Sequence, residues 1–180
     1  MGRPPSGGPI PEAVAPAGVE IRPARRRDAA GILEVRRELA AEERFIRTEV
    51  VSESVRDTRA RLARTWTREA ASIVAVADRR VVGHLGVARE LQPVTAHVAS
   101  LGMGVTKALR RRGVGAALLA EAFRWARWAG VEKLALSVYP ENEPALRLYE
   151  RFGFVEEGLL TGHSKKATGY RDELVMARWL

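Results

Sequence analysis

The chain has 180 residues, 46% of them apolar and 29% charged, with a formal net charge of +8 and no cysteine. That length suits one domain with a real core, and the apolar share is too high for a disordered chain. No apolar run approaches the roughly 18–20 residues of a membrane span, and the lack of cysteine excludes a disulfide scaffold, a thiol nucleophile and a thiolate zinc site.

The first stretch of chain is rich in proline and glycine. Pro4, Pro5, Pro9, Pro11 and Pro16 stand among Gly2, Gly7, Gly8 and Gly18, so residues 1–18 are expected to form a flexible tail and residues 19–180 the domain. The tail lacks the apolar core of a secretory signal, and with no cysteine the expected location is the cytoplasm. Val19-Glu-Ile-Arg22 alternates as a short strand ended by Pro23. Asp28 stands at an N-cap position ahead of Ile32, Leu33, Val35 and Leu39, which recur at helical spacing. A second helix is predicted over Ser54–Trp66, with Val55, Leu62 and Trp66 on one side. The runs 72–77 and 81–87, linked by Asp78-Arg79-Arg80, predict a hairpin.

A strand over His97–Val105 follows, then a helix over Arg112–Ala129 and a strand over Leu134–Val138. A short helix over Glu143–Phe152 is closed by Gly153 at the C′ position. Two last strands are predicted near 154–161 and 171–179. The order β-α-α-β-β-β-α-β-α-β-β describes an α/β chain with a mixed sheet and helices on both faces.

Of the 30 basic residues, 26 are arginine, and many lie beside glutamate, as in Arg36-Arg37-Glu38. No zinc finger, RNA-binding aromatic signature or basic zipper accompanies them, so they are expected to coat solvated helix faces and no specific nucleic acid partner is expected. The three histidines, His84, His97 and His163, have no metal-pair spacing on one helix, and no metal site is expected. There is no Gly-x-Ser-x-Gly elbow to support a serine hydrolase.

The cluster Arg110-Arg111-Arg112 is a separate matter, because Gly113-Val114-Gly115 follows it and opens an alanine- and leucine-rich helix. A helix N-terminus offers unpaired N–H groups to phosphate, and glycines there let a pyrophosphate approach them. In the preceding strand, Gly102 and Gly104 mark a bulge or a close approach by a ligand or backbone. A dinucleotide fingerprint and a Walker P-loop both fit poorly: the first wants its glycines directly after the strand, the second Gly-Lys-Ser/Thr.

Arg110-x-x-Gly113-x-Gly115, preceded by Leu101-Gly-Met-Gly-Val105, resembles the acetyl-CoA motif of the GCN5-related N-acetyltransferases. The segment Asn142-Glu-Pro-Ala145-Leu-Arg-Leu148-Tyr149-Glu-Arg-Phe-Gly153-Phe154 resembles that family's second signature, in the right order. The ending Gly169-Tyr-Arg-Asp-Glu-Leu-Val-Met-Ala-Arg178 is similar to the branch of amino-acid and phosphinothricin acetyltransferases.

The resemblance implies a central, mostly antiparallel sheet with a V-shaped cofactor cleft. It implies acetyl-CoA as co-substrate, a primary amine as acceptor and no membrane partner. Dimers are common in that fold, but no residue here marks a homodimer interface. Backbone groups of Met103, Gly104 and Val105 would pair with pantetheine. The amides of Arg111, Arg112, Gly113, Val114, Gly115 and Ala116 would hold the pyrophosphate, with Arg110 and Lys107 alongside. Asn142 can cap its helix, bond the pantetheine arm, or both. Tyr149 shares an apolar helix face with Ala145, Leu148 and Phe152, which alone reads as core; the resemblance makes it the acid for the departing CoA thiolate.

The base is open. Ser100 stands where many family members carry a carboxylate, leaving His84, His97, Glu42, Glu43 and Glu49 as candidates. The expected activity is direct acetyl transfer to a small primary amine such as an amino acid. The alternatives are a protein N-terminal or lysine acetyltransferase, or a CoA-binding domain without turnover.

Overall fold

The alternating run Val19–Pro23 forms an outer strand, β1, and the helix expected after it, α1, spans Ala29–Ala41. The computed structural model describes residues 8–42, 51–64 and 66–180. The remaining elements are α2 (Val55–Leu62), β2 (Ala70–Ala77), β3 (Arg80–Arg89), β4 (Val98–Val105), α3 (Val114–Ala129), β5 (Lys133–Val138), α4 (Glu143–Arg151), β6 (Val155–Lys166) and β7 (Gly169–Trp179). This is the predicted order. The strands make a seven-stranded sheet ordered β1-β2-β3-β4-β5-β7-β6. Among the described residues only β4 and β5 pair in parallel; the other pairings are antiparallel. The β2–β3 turn holds Asp78 and Arg79 at φ 47° and 63°, the left-handed pair that matches the twist of a two-residue hairpin.

The strand predicted near 154–161 extends to Lys166, and two helix boundaries differ from expectation where a residue leaves helical geometry. The second helix stops at Leu62, because Trp66 has φ 69° and the Trp66 and Thr67 amides both bond to the Ala70 carbonyl, turning the chain into β2. α3 starts at Val114 rather than Arg112, because Arg111 and Gly113 have φ of 57° and 87°. Residues 8–18 hold no helix or strand, and Ile10 and Ala13 pack against the core.

The main core lies between the sheet and α3 and α4. Trp125, Phe123, Phe152, Leu118 and Leu119 are fully buried there, and the Phe123 ring stacks on Phe152 with centroids 5.9 Å apart. A smaller cluster of Ala24, Ala29, Ile32, Leu62 and Val74 fills the opposite face under α1 and α2. Helices therefore cover both faces.

Asp28 does not cap α1 with its side chain. A 3-10 turn over Arg26–Asp28 runs straight into the helix, leaving Asp28 itself in helical geometry at φ −81°, ψ −7°. Its carboxylate instead accepts from Arg22 Nη1 and Nη2 at 2.7 and 2.8 Å and from the Arg25 amide at 2.7 Å. Burial raises the Asp28 pKa, but the Arg22 and Arg25 hydrogen bonds outweigh it and hold the carboxyl below its usual value. Both partners are buried, at 9% and 6% exposure. Removing the carboxylate leaves the buried guanidinium only the Pro23 carbonyl and the exposed Glu20, 3.4 Å from its Nε. Asp28→Ala is therefore expected to cost about 3 kcal/mol, read as a lower denaturant midpoint; an unchanged midpoint would mean the pair contributes nothing.

Candidate active site

The site follows from how β4 leaves its parallel neighbour. The two strands are in register only from Val98 with Lys133 to Ser100 with Ala135, although β4 continues to Val105 and β5 to Val138. Beyond Ser100 they diverge around a cleft of about 1670 Å³. Met103, Gly104 and Val105 line it from β4. Gly104 also lets α1 approach: a Cβ built there would stand 2.1 Å from Leu39 Cδ1.

The N-terminus of α3 closes one end. Gly113 sits at the N-cap with φ 87°, and the first intrahelical bond runs from the Ala117 amide to the Gly113 carbonyl at 3.0 Å. The amides ahead of Ala117 have no carbonyl a turn earlier to bond. Arg110, Arg111, Gly113, Gly115 and Ala116 line the cleft here, with Lys107. Arg112 is exposed and outside the lining, and the Val114 side chain is buried in the core.

Arg110 spends its hydrogen bonds within the protein. Its Nε donates to the Val105 carbonyl at 2.9 Å, and Nη1 and Nη2 donate to the two Glu42 oxygens at 2.7 and 2.5 Å. The Arg110 hydrogen bonds, opposed by partial burial, hold the Glu42 carboxyl below its usual range. One turn earlier on α1, Glu38 accepts the Lys107 amide at 2.8 Å. Glu38 on α1 and Glu42 at its C-cap thus fasten the loop between β4 and α3.

Across the cleft stand Asn142 and Tyr149. The Asn142 side chain accepts the Ala145 amide at 3.4 Å, capping α4 as its sequence position predicts. Tyr149 is 6% exposed, against Phe154, and its hydroxyl has no hydrogen-bond partner among the described residues. Burial pushes this phenol up to about 12, so it stays protonated at any physiological pH.

Of the base candidates, His84 and Glu42 line the cleft. His84 Nε2 lies 2.8 Å from Ser72 Oγ. Burial first, then the Arg61 and Arg36 charges, push its imidazolium down to about 3, against a smaller upward pull from Glu53. Those two arginines converge on Glu53, Arg36 at 2.6 Å and Arg61 at 3.1 Å. His97 stacks on Trp179, 5.8 Å between centroids, outside the cleft lining. Glu43 and Glu49 lie outside the described residues. The sequence reading missed the Glu42–Arg110, Arg36–Glu53–Arg61 and Ser72–His84 contacts; they join residues 68, 17 and 12 positions apart with no local motif to announce them.

The sequence model described as "Acetyltransferase (GNAT) family" matches residues 34–154, a span holding β4, the α3 N-terminus, Asn142 and Tyr149. The chain belongs to this family. The L-amino acid N-acetyltransferase AaaT of Escherichia coli is 35% identical to it over 107 residues, covering 59% of this chain and 66% of that protein, so the match spans just under two thirds of that relative's length. The solved ribosomal-protein-alanine N-acetyltransferase of Brucella melitensis superposes with TM-score 0.82 at 24% identity, covering 89% of this chain and 99% of that one. The phosphinothricin acetyltransferase of Sinorhizobium meliloti, solved with acetyl-CoA, superposes with TM-score 0.80 at 20% identity, covering 91% and 89%. At these identities the two structures establish the GNAT fold alone; the V-shaped cleft is seen in this chain's own β4 and β5.

The depressed His84 has a consequence for stability. In the unfolded chain an imidazole gains its proton near pH 6.5, whereas in the fold it stays neutral down to about 3. Between those values the unfolded state binds more protons, so stability falls as pH drops through that window. His84→Gln should flatten this slope, giving a smaller loss of urea midpoint between pH 6.5 and 4.5 than wild type; equal losses would show that His84 titrates normally in the fold.

Proposed function

We propose that the chain is an acetyl-CoA-dependent N-acetyltransferase that moves the acetyl group directly onto the primary amine of a small molecule such as an amino acid. The observation that carries this is a cleft opened by diverging strands, with a glycine-started helix N-terminus at one end and a buried, protonated tyrosine in its wall. The named activities of the E. coli and S. meliloti proteins support the acceptor class.

In this reading the β4 edge at Met103 and Val105 pairs with the pantetheine arm as an added strand, and its N–H groups stabilise the oxyanion that forms on attack. The pyrophosphate rests on the amides from Arg111 to Ala116, beside the charges of Arg111 and Lys107. Arg110 acts indirectly, by holding the loop to α1 and balancing the Glu42 charge that would otherwise face the phosphates. The amine attacks the thioester carbon, and the tetrahedral intermediate collapses with departure of the CoA thiolate. A phenol near pKa 12 is a weak proton source for a thiolate whose thiol titrates near about 8.5. Tyr149 therefore serves chiefly by donating a hydrogen bond to the sulfur as charge builds on it.

Screening amines and amino acids with acetyl-CoA while following free thiol tests the reading. Turnover stimulated by a small amine is expected; stimulation by peptides alone would favour a protein acceptor, and none by any amine a binding domain. Two predictions follow from the geometry. Arg110→Ala should raise the acetyl-CoA Kd about ten-fold, ~1.4 kcal/mol, and adding Glu42→Ala should recover part of that loss, while Arg59→Ala on α2 changes nothing. If the double variant binds no better than Arg110→Ala, Arg110 contacts the phosphates itself. Tyr149→Phe should lower kcat by roughly ten-fold with Kd nearly unchanged, since a contact made as the sulfur departs affects turnover more than affinity; wild-type kcat, with chemistry rate-limiting, would return Tyr149 to the core alone.

A further inference from the structure

An alkylamine is an ammonium ion at neutral pH and must lose a proton before it attacks. The cleft's own titratable groups are poorly placed to take it. Glu42 is committed to Arg110, Glu141 to Arg171 and Glu143 to Arg147, and His84 binds a proton only near pH 3. One carboxylate stands just outside the lining, at the apex of the V. Ser100 is the last β4 residue in register with β5 and lies on the cleft wall, and its hydroxyl donates to Glu90 Oε1 at 3.2 Å. The Glu90 amide bonds to the Val98 carbonyl at 2.9 Å, anchoring that carboxylate beside Ser100. No cation is paired with Glu90 among the described residues.

Space for an acceptor adjoins this pair. Gly102 shares the sheet face of Ser100, two residues on, and stands opposite Gly86 in the β3–β4 register. A Cβ built at Gly102 would meet nothing within 4 Å, and one at Gly86 only the His84 ring at 3.8 Å. The two glycines leave an open floor beside the Ser100 hydroxyl.

We propose that Ser100 Oγ relays the acceptor's proton to Glu90, with the acceptor seated over the Gly86–Gly102 floor; this rests on the acetyl-transfer reading above. The ammonium donates an N–H to Ser100 Oγ while the serine O–H donates to Glu90. The N–H bond breaks, its proton passes to Oγ, and the serine's own proton passes to Oε1. The freed nitrogen lone pair forms the N–C bond, and the C–S bond breaks with its electron pair on sulfur. Of the two protons the nitrogen loses in becoming an amide, one ends on the CoA sulfur. The other ends on Glu90, whose exposure lets it return that proton to water.

The charged groups on surrounding elements are otherwise engaged. Lys133 on β5 is held by Glu157 at 2.7 Å, and Arg89 donates to the carbonyls of Arg68, Ala96 and Ala129. Arg36 and Arg61 share Glu53, and His97 lies on Trp179.

The test uses the full chain, acetyl-CoA and the best acceptor found among the common amino acids. Glu90→Gln and Ser100→Ala should each lower kcat at pH 7 by about 10²-fold, with the acetyl-CoA Kd unchanged. The loss should shrink toward wild type as the pH approaches the amine's own pKa, and should be small at pH 7 with hydroxylamine, an acceptor uncharged there. Restoring a carboxylate at the apex, as Ser100→Asp in the Glu90→Gln background, should recover activity. Wild-type kcat in Glu90→Gln at pH 7 overturns the relay. So does a loss of the same size at every pH and with both acceptors, which would mark a structural role. If wild type acetylates no amine, the acetyl-transfer reading has failed and the relay falls with it; an active wild type with an equally active Glu90→Gln removes the relay alone.

Discussion

Past Ser100 and Ala135, the backbone N–H and C=O groups on the facing edges of β4 and β5 have no ladder to join. Main-chain polar groups shut away from water need partners, and a strand pair held at only one end is stable when solvent or a ligand supplies them. In the proposed reaction a pantetheine arm, with its own amides, would be such a partner. The divergence also needs a reason to persist, and α1 provides it. Leu39 seats where a Gly104 side chain would be, and Glu38 and Glu42 hold the loop that β4 runs into. The cleft, and with it the proposed phosphate end and acceptor floor, depends on that one separation of strands.

The large positive charge looks different once its partners are placed. Arg22 is neutralised by Asp28, Arg110 by Glu42, and Arg36 and Arg61 share Glu53. These arginines fix local geometry: the start of α1, the loop before α3, and the polar wall above His84. A guanidinium suits the task because it holds both oxygens of a carboxylate in one plane. Arg111 and Lys107, by contrast, line the cleft with no salt bridge among the described residues, which leaves their charge for an anion.

Hydrophobic periodicity and turn residues located nearly every element. β3 shows why strands were legible: Leu85 and Val87 face the core while His84 and Gly86 face the cleft, the period-two pattern a half-buried strand must carry. The misjudged helix boundaries lie beside Trp66 and Arg111, non-glycine residues with positive φ that no helical pattern announces, and β6 runs on to Lys166, past the predicted end near 161. The motif glycines and Asn142 were legible because the chemistry at a helix start is local. The contacts of Arg110, His84, Arg36 and Glu90 were not, since each depends on which strands and helices become neighbours. Asp28 shows the limit most plainly: an ideal capping residue by type and place, it is drawn away by an arginine on β1.

The same face of β4 serves two ends of the proposed reaction through alternation alone. Ser100, Gly102 and Gly104 point toward α1, and the alternating residues Ala99 and Leu101 are buried under α3. A one-residue slip of β4 would bury the serine and expose the leucine, so the hydrophobic core that sets the register also sets the reactive face. With Gly102 and Gly104 carrying no side chains, that face is a groove whose shape comes from its borders: Leu39 on α1 and Glu42 at its C-cap at one end, Ser100 with Glu90 at the other. In the proposed reaction such a groove would leave acceptor selection to its rim, while the packing that fixes the sheet stays constant.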